Sequence, residues 1–140
     1  MPKVFIDTNI LIYSYDSAGL EKQKKSREML LELEENGIGV ISTQIIQEFY
    51  VCAVKKLSMP PILAKQIIAK FDNFEVVTID HALINDAVDC SILNQMSFWD
   101  ALVVVSAHSA KCEKLWTEDL NHGQIIKDVK VENIFLKALD

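Results

Sequence analysis

Short runs of β-branched and aromatic residues alternate along this chain with longer segments in which apolar residues recur every three or four positions. The short runs predict strands at 3–6, 38–41, 74–79, 114–117 and 130–135, and the longer segments predict helices at 8–15, 19–35, 43–57, 60–71, 81–95 and 98–110. Strands that alternate with helices pair in parallel, and helices then cover both faces of the sheet. The pattern therefore predicts an α/β fold.

The length of 140 residues fits one compact domain over residues 1–140. With only three prolines and four glycines, long linkers are not expected, and Pro60-Pro61 indicates a break between two helices.

The amino terminus and the cysteines bear on location. The first strand follows Met1 at once, which leaves no room for a secretory leader, and no apolar segment reaches the ~20 residues of a membrane span. Cys52, Cys90 and Cys112 are widely spaced and odd in number, so free thiols in a reducing compartment are expected. We therefore expect a cytoplasmic protein with no membrane contact.

The charge balance is acidic. The chain has 14 Lys and Arg residues against 20 Asp and Glu residues, a net charge of −6, so bulk charge does not favour binding to nucleic acid. Two local basic clusters are Lys22, Lys24, Lys25 and Arg27, and the pair Lys55 and Lys56. A solvated helix face is the simpler interpretation of both, and contact with phosphates at the rim of an acidic cleft is the alternative.

Four acidic residues stand just past a predicted strand or early in a predicted helix: Asp7, Glu48, Asp100 and Asp119. In open α/β sheets, ligands bind at the carboxyl ends of the strands, where loops and helix amino termini converge. Carboxylates that meet there repel one another unless a cation joins them, and their oxygens suit a hard divalent ion. The sequence thus predicts one site for Mg²⁺ or Mn²⁺, and an oxygen-only ligand set excludes zinc.

Each acid also has a structural interpretation. Asp7 is placed to cap the next helix by accepting from the amide of Asn9 or Ile10, and Ser97 has the capping-box spacing to Asp100. Glu48 lies at the edge of an apolar stripe, where an ion pair with Lys55 would have to reach over two helical turns.

The loop after the fourth strand leaves a choice open. Asp119 lies in a turn-rich segment where an Asx turn is the default interpretation, and Glu118 competes for the same role.

Trp99 and Trp116 adjoin apolar elements, so we expect them in the core or in the wall of the site rather than as stacking platforms for bases. His122 is interpreted as a solvated loop residue.

These residues resemble a known family. The segments Val4-Phe5-Ile6-Asp7-Thr8-Asn9, Ser97-Phe98-Trp99-Asp100-Ala101 and Thr117-Glu118-Asp119, with Glu48 in the second main helix, are similar to PIN-domain ribonucleases. The combination resembles the stand-alone VapC-type toxins of toxin–antitoxin systems, and the resemblance spans the chain.

The resemblance implies a PIN-like three-layer α/β/α sandwich with a central parallel sheet of four or five strands, and a Mg²⁺- or Mn²⁺-dependent endoribonuclease. Asp7, Glu48, Asp100 and Asp119 match the acidic quartet of the family, which acts as metal ligands and catalytic residues. Thr8, Asn9, Ser97 and Thr117 match supporting polar positions. The implied partners are an RNA substrate, a second copy in a homodimer and a cognate antitoxin protein.

Two rival functions account for part of this pattern. One is a non-catalytic PIN-like module that binds RNA or a protein partner, although intact acids count against it. The other is phosphate-monoester transfer with Asp7 as nucleophile. Such enzymes usually carry a second aspartate where this chain has Asn9, and no loop lysine completes that site.

Overall fold

The computed structural model describes residues 1–136. Its sheet has six strands in the order β3-β2-β1-β4-β6-β5. The strands are β1 Val4–Ile6, β2 Gly39–Ser42, β3 Glu75–Val77, β4 Lys114–Trp116, β5 Ile125–Ile126 and β6 Val129–Glu132. All neighbours pair in parallel except β5, which runs antiparallel to β6 at one edge.

Within residues 1–136, six helices flank this sheet. They are α1 Thr8–Tyr13, α2 Leu20–Asn36, α3 Thr43–Lys56, α4 Pro61–Ala69, α5 His81–Asn94 and α6 Phe98–Ser109, with a short 3₁₀ segment at Lys70–Asn73. Local sequence explains their ends: Gly37 takes a left-handed φ of 64° just after α2, and a proline occupies the first turn of α4. The break expected at Pro60-Pro61 is confirmed.

The strand order explains which strands are buried. The central strands β1 and β2 are buried at every position, as expected for a sheet covered on both faces. Val76 and Val77 are only half-buried, because β3 lies at the edge and pairs with β2 alone. Packing at Gly39 leaves no room for a side chain, because an added Cβ would lie 2.8 Å from the Phe74 ring.

The α/β fold and the parallel sheet are confirmed. Five strands pair in parallel as predicted, and the bounds of the elements differ from the expected ones by a few residues at most ends. The chain adds two features, the 3₁₀ segment and the two-residue strand β5. That strand is too short to give a pattern, and its turn depends on left-handed backbone at Lys127 and Asp128.

The sheet order also fixes the position of a site. The order of strands reverses at β1, which has β2 on one side and β4 on the other. Loops leave in opposite directions at such a point and open a crevice at the carboxyl ends of the strands. The segments after β1 and β4 therefore face each other.

Helix length and hydropathy bear on whether a segment of residues 1–136 could span a membrane. No single helix there is long and apolar enough to cross a membrane. Helices α5 and α6 reach that length and hydropathy only together, and they meet at a bend of 116°.

Candidate active site

Asp7 follows β1 directly and lies at the bottom of a cleft. In the register of β1 and β4, Ile6 pairs with Trp116, so Asp7 faces Thr117. The Asp7 Oδ2 atom accepts from the Thr117 hydroxyl at 2.7 Å, and Oδ1 accepts from the amide of Thr8, also at 2.7 Å. Asp7 does cap α1, but through Thr8, and not through Asn9 or Ile10 as expected. Both carboxylate oxygens are thereby fixed in direction.

Glu48 reaches the same cleft from the middle of α3. Its Oε1 accepts from the Thr8 hydroxyl at 2.7 Å, and its Oε2 accepts from the side-chain amide of Gln44 at 3.4 Å. Thr8 therefore joins the two acids, because its amide contacts Asp7 and its hydroxyl contacts Glu48. This contact replaces the pairing with Lys55 that was weighed as the structural alternative.

Asp119 enters from the loop after β4. Its amide donates to the Thr117 hydroxyl oxygen at 3.0 Å, and its Oδ2 accepts from the Asn9 side-chain amide at 3.4 Å. The supporting polar residues Thr8, Asn9 and Thr117 thus each contact one or two of the acids. Asp7, Glu48 and Asp119 all line one cleft.

Glu118 points elsewhere. Its carboxylate accepts from Lys22 Nζ at 2.6 Å and from the Tyr13 hydroxyl. Lys22 lies over the rings of Tyr13 and Phe135, at 4.6 Å and 5.0 Å from their centroids. This cluster of Lys22, Tyr13, Glu118 and Phe135, the Lys22 clasp, explains why the structure presents Asp119 to the cleft.

Asp100 lies in the first turn of α6, where the Ser97 side chain accepts from its amide at 3.1 Å, so the predicted cap is confirmed. Among residues 1–136, the cleft is lined by the preceding Trp99 and not by Asp100 itself. The connection to the other acids runs through Gln44, whose side-chain nitrogen donates to the Trp99 carbonyl at 3.3 Å as well as to Glu48.

Gln44 was not identified from the sequence. It is 5% exposed and stands four residues before Glu48 on α3. That spacing puts both side chains on one helix face, which is the feature that would have pointed to it.

The cleft has a volume of about 880 Å³ and contains a mixture of acidic and apolar groups. Besides Asp7, Glu48 and Asp119, its lining includes a fourth acid, Asp16, together with Ile12, Tyr13, Ala18, Gln47, Val51, Cys52, Lys56, Leu57 and Trp99. Of the two basic clusters, one cation reaches the cleft, Lys56. Lys22 pairs with Glu118, Arg27 donates to the Ser14 carbonyl at 2.7 Å, and Lys24 and Lys25 are exposed.

The comparison with known families agrees with this geometry. A family model described as PIN domain matches residues 4–127. The chain belongs to the PIN domain family.

Solved structures share the fold of this PIN domain. A toxin–antitoxin complex from Klebsiella pneumoniae aligns over 91% of this chain and 95% of its own, with 19% identity and a TM-score of 0.68. The DNA-bound VapBC of Salmonella typhimurium aligns over 96% and 99%, with 19% identity and a TM-score of 0.69. VapC20 of Mycobacterium tuberculosis, a sarcin–ricin loop cleaving toxin, aligns over 84% and 92%, with 13% identity and a TM-score of 0.67. Among curated protein sequences, none matches this PIN domain significantly.

The electrostatics of this PIN domain centre on Asp7. Burial of its carboxyl, which is 7% exposed, raises its pKa from 3.8 to about 7. The hydrogen bonds from Thr117 and Thr8 lower the pKa, and the charges of Asp119 and Glu48 raise it. Asp7 therefore shares the cleft with Asp16, Glu48 and Asp119, and its own buried carboxyl is costly to ionise.

The oxygen donors suit a hard divalent ion, although they are not arranged as a finished cage. Within the described part of this PIN domain, no three Asp, Glu, His or Cys side chains are close enough to hold one ion as placed. The donors are carboxylate oxygens, and the buried Asn9 Oδ1 has no hydrogen-bond partner within residues 1–136. A hard cation prefers such oxygens, and its charge would offset the cost of ionising Asp7.

The structure also places the histidine, tryptophan and cysteine residues considered in the sequence. His122 accepts from the Asn133 amide through Nδ1 at 3.0 Å, so it orders a loop. Trp116 is buried and Trp99 is exposed on the cleft wall, so both lie in the core or in the wall of the site as expected. Cys52, Cys90 and Cys112 are free, as predicted.

Proposed function

We propose that this protein is a metal-dependent endoribonuclease, the toxin of a VapC-type toxin–antitoxin pair. The observation that supports this most is the meeting of Asp7, Glu48 and Asp119 in one cleft at the carboxyl ends of β1 and β4. Membership of the PIN domain family supports the same activity, and the structural relatives include a toxin that cleaves RNA.

The proposed metal ligands are Asp7, Glu48, Asp100 and Asp119. Bound Mg²⁺ or Mn²⁺ would lower the pKa of a water molecule and neutralise charge on the phosphoryl oxygens. The chain itself sets the geometry: Thr117 and Thr8 direct the two oxygens of Asp7, Thr8 also holds Glu48, and Asn9 holds Asp119. Ser97 orders the helix turn that carries Asp100.

The proposed partners follow from the relatives. Two of them are toxin–antitoxin or VapBC complexes, which supports a cognate antitoxin for this chain. We further propose a homodimer and, from the free thiols, a cytoplasmic location. Co-purification with the product of a short neighbouring open reading frame would test the antitoxin.

Hydrolysis of a structured RNA, with and without Mn²⁺, tests the activity. We expect cleavage by the wild type only with the metal, and loss of cleavage in Asp7→Asn by a factor of at least roughly 100. Asp89→Asn is the matched control, because Asp89 is exposed on α5 and lies outside the cleft.

The same experiment distinguishes the nuclease from a non-catalytic binding module. RNA that is bound by the wild type but not cut under any metal condition would favour a non-catalytic binding module. Cleavage that persists in purified Asp7→Asn would overturn the assignment of the site.

A further inference from the structure

Trp99 is an exposed aromatic residue on the wall of the cleft. It is 62% exposed, whereas the other tryptophan, Trp116, is 5% exposed and donates to Glu132 at 3.2 Å. Tryptophan is highly buried on average in folded proteins, because its ring carries a large apolar surface. An exposed ring beside a cluster of acids therefore indicates a surface that binds something.

The position of Trp99 is fixed relative to the acids. Its ring packs edge-on against Phe98, with centroids 5.2 Å apart. Its carbonyl accepts from the buried Gln44 amide, which also donates to Glu48, and Asp100 is the next residue. The ring is thus held on a rigid helix start rather than on a loop.

Towards its carboxyl end, α3 adds apolar residues and one cation to the cleft. Val51, Cys52 and Leu57 line the cleft from the later part of α3, together with Lys56. At 1.5 Å per residue, Lys56 lies about 12 Å along the helix from Glu48. The lining of the cleft therefore continues along α3, from the acidic Glu48 to apolar residues and a positive charge.

We propose that Trp99 forms a stacking subsite for an unpaired nucleobase of an RNA strand whose scissile phosphate lies at the acids, and that Lys56 contacts a phosphate further along. This proposal rests on the proposed function and adds to it two residues outside the acids that would bind the RNA strand. Stacking on an aromatic ring tolerates any base, and a nearby cation suits the polyanionic backbone. The charge at Lys56 and the continuity with the acids favour a nucleic acid over an apolar peptide as the occupant.

Tryptophan fluorescence gives a direct readout that is independent of cleavage. Because Trp116 is buried, a base stacked on Trp99 should quench the emission of the exposed tryptophan. The probe is a short, mixed-sequence 2′-O-methyl oligoribonucleotide in Mg²⁺, with affinity measured separately by fluorescence anisotropy of a labelled strand. We expect quenching in the wild type and in Lys56→Gln at saturation, and none in Trp99→Leu.

The affinities distinguish stacking from simple apolar contact. Trp99→Leu should weaken binding roughly tenfold or more, and Trp99→Phe less, since phenylalanine keeps an aromatic face. Tyr50→Leu, which removes an exposed aromatic residue on α3 outside the cleft, should leave the affinity unchanged. An abasic nucleotide at one position should weaken binding to the wild type but not to Trp99→Leu, because the two losses remove the same contact.

Three results would overturn the subsite. The first is binding of Trp99→Leu within about twofold of the wild type, far less than a stacked base contributes. The second is binding without quenching. The third is a shift of Trp99→Leu towards monomer in sedimentation with unchanged RNA affinity, which would assign the ring to a protein interface. If these occur while the wild type still cleaves RNA with Mn²⁺, the nuclease stands without this subsite; if the wild type neither binds nor cleaves RNA, both proposals fail.

Discussion

The Asp7 carboxyl combines deep burial with two nearby negative charges. Its pKa is raised from 3.8 to about 7, chiefly by burial, so the folded protein holds the proton more tightly than the unfolded chain does. The stability that this provides is complete below about pH 4 and is lost as the pH rises through about 7. At neutral pH and above, the metal-free fold therefore carries the cost of an ionised Asp7.

The Asp7→Asn substitution should remove the cost of holding an ionised carboxylate in the buried position of Asp7. In metal-free buffer at about pH 8, we expect the free energy of unfolding to be roughly 2–4 kcal/mol higher in the variant, and the difference to become small near pH 4. Asparagine keeps an oxygen that can accept from the Thr8 amide, so the cap of α1 is retained. Urea unfolding at both pH values measures the difference. A variant that is less stable than the wild type at the higher pH would show that the fold stabilises the ionised carboxylate.

At the scale of elements, the loop after β4 turns one of two adjacent acids towards the cleft. Asp119 is held there by Thr117 and Asn9, while Glu118 belongs to the Lys22 clasp. Because Tyr13 belongs to α1, Lys22 to α2 and Glu118 to this loop, the Lys22 clasp connects these three elements. Tyr13 also lines the cleft.

The two acids should therefore respond differently to loss of charge. Asp119→Asn is expected to lower the rate of RNA cleavage by at least roughly 100-fold, as for loss of a group that acts directly at the reaction. Glu118→Gln should keep most of the rate and lower the melting temperature, because it weakens the ion pair with Lys22. Cleavage rates and thermal unfolding of both variants provide the test. The reverse order of rates would assign the catalytic role to Glu118.

Local sequence predicts some of these features of the fold and the site, and not others. Strand and helix positions follow from periodicity, and Asp7, Thr8 and Asn9 could be grouped because they are adjacent. The contact between Asp7 and Thr117 depends on the pairing of β1 with β4, which periodicity does not give. The contacts of Gln44 and of the Lys22 clasp depend on which helix faces meet, so local sequence does not predict them. Strand β5 depends on a pairing of only two residues. The local pattern left Asp119 and Glu118 as alternatives, and the resemblance to the family favoured Asp119.

At the scale of the whole molecule, the strand order decides that distant acids converge. The central strand β1 carries Asp7, and its neighbours β2 and β4 lead to α3 with Glu48 and to the loop with Asp119. Among residues 1–136, Asp100 does not line this cleft; it lies at the start of α6, which Gln44 connects to α3 through the Trp99 carbonyl. We propose that Asp100 and the three converging acids bind one or more shared divalent ions.

Mn²⁺ binding tests that claim most directly. It should be measured by isothermal titration calorimetry at about pH 8 on the wild type, on Asp7→Asn, Glu48→Gln, Asp100→Asn and Asp119→Asn, and on the control Asp89→Asn. We predict saturable binding to the wild type and the control, and weaker binding to each of the four variants. Wild-type affinity in Asp100→Asn would remove that residue from the site. Wild-type affinity in Asp7→Asn, or no binding by the wild type, would contradict the account.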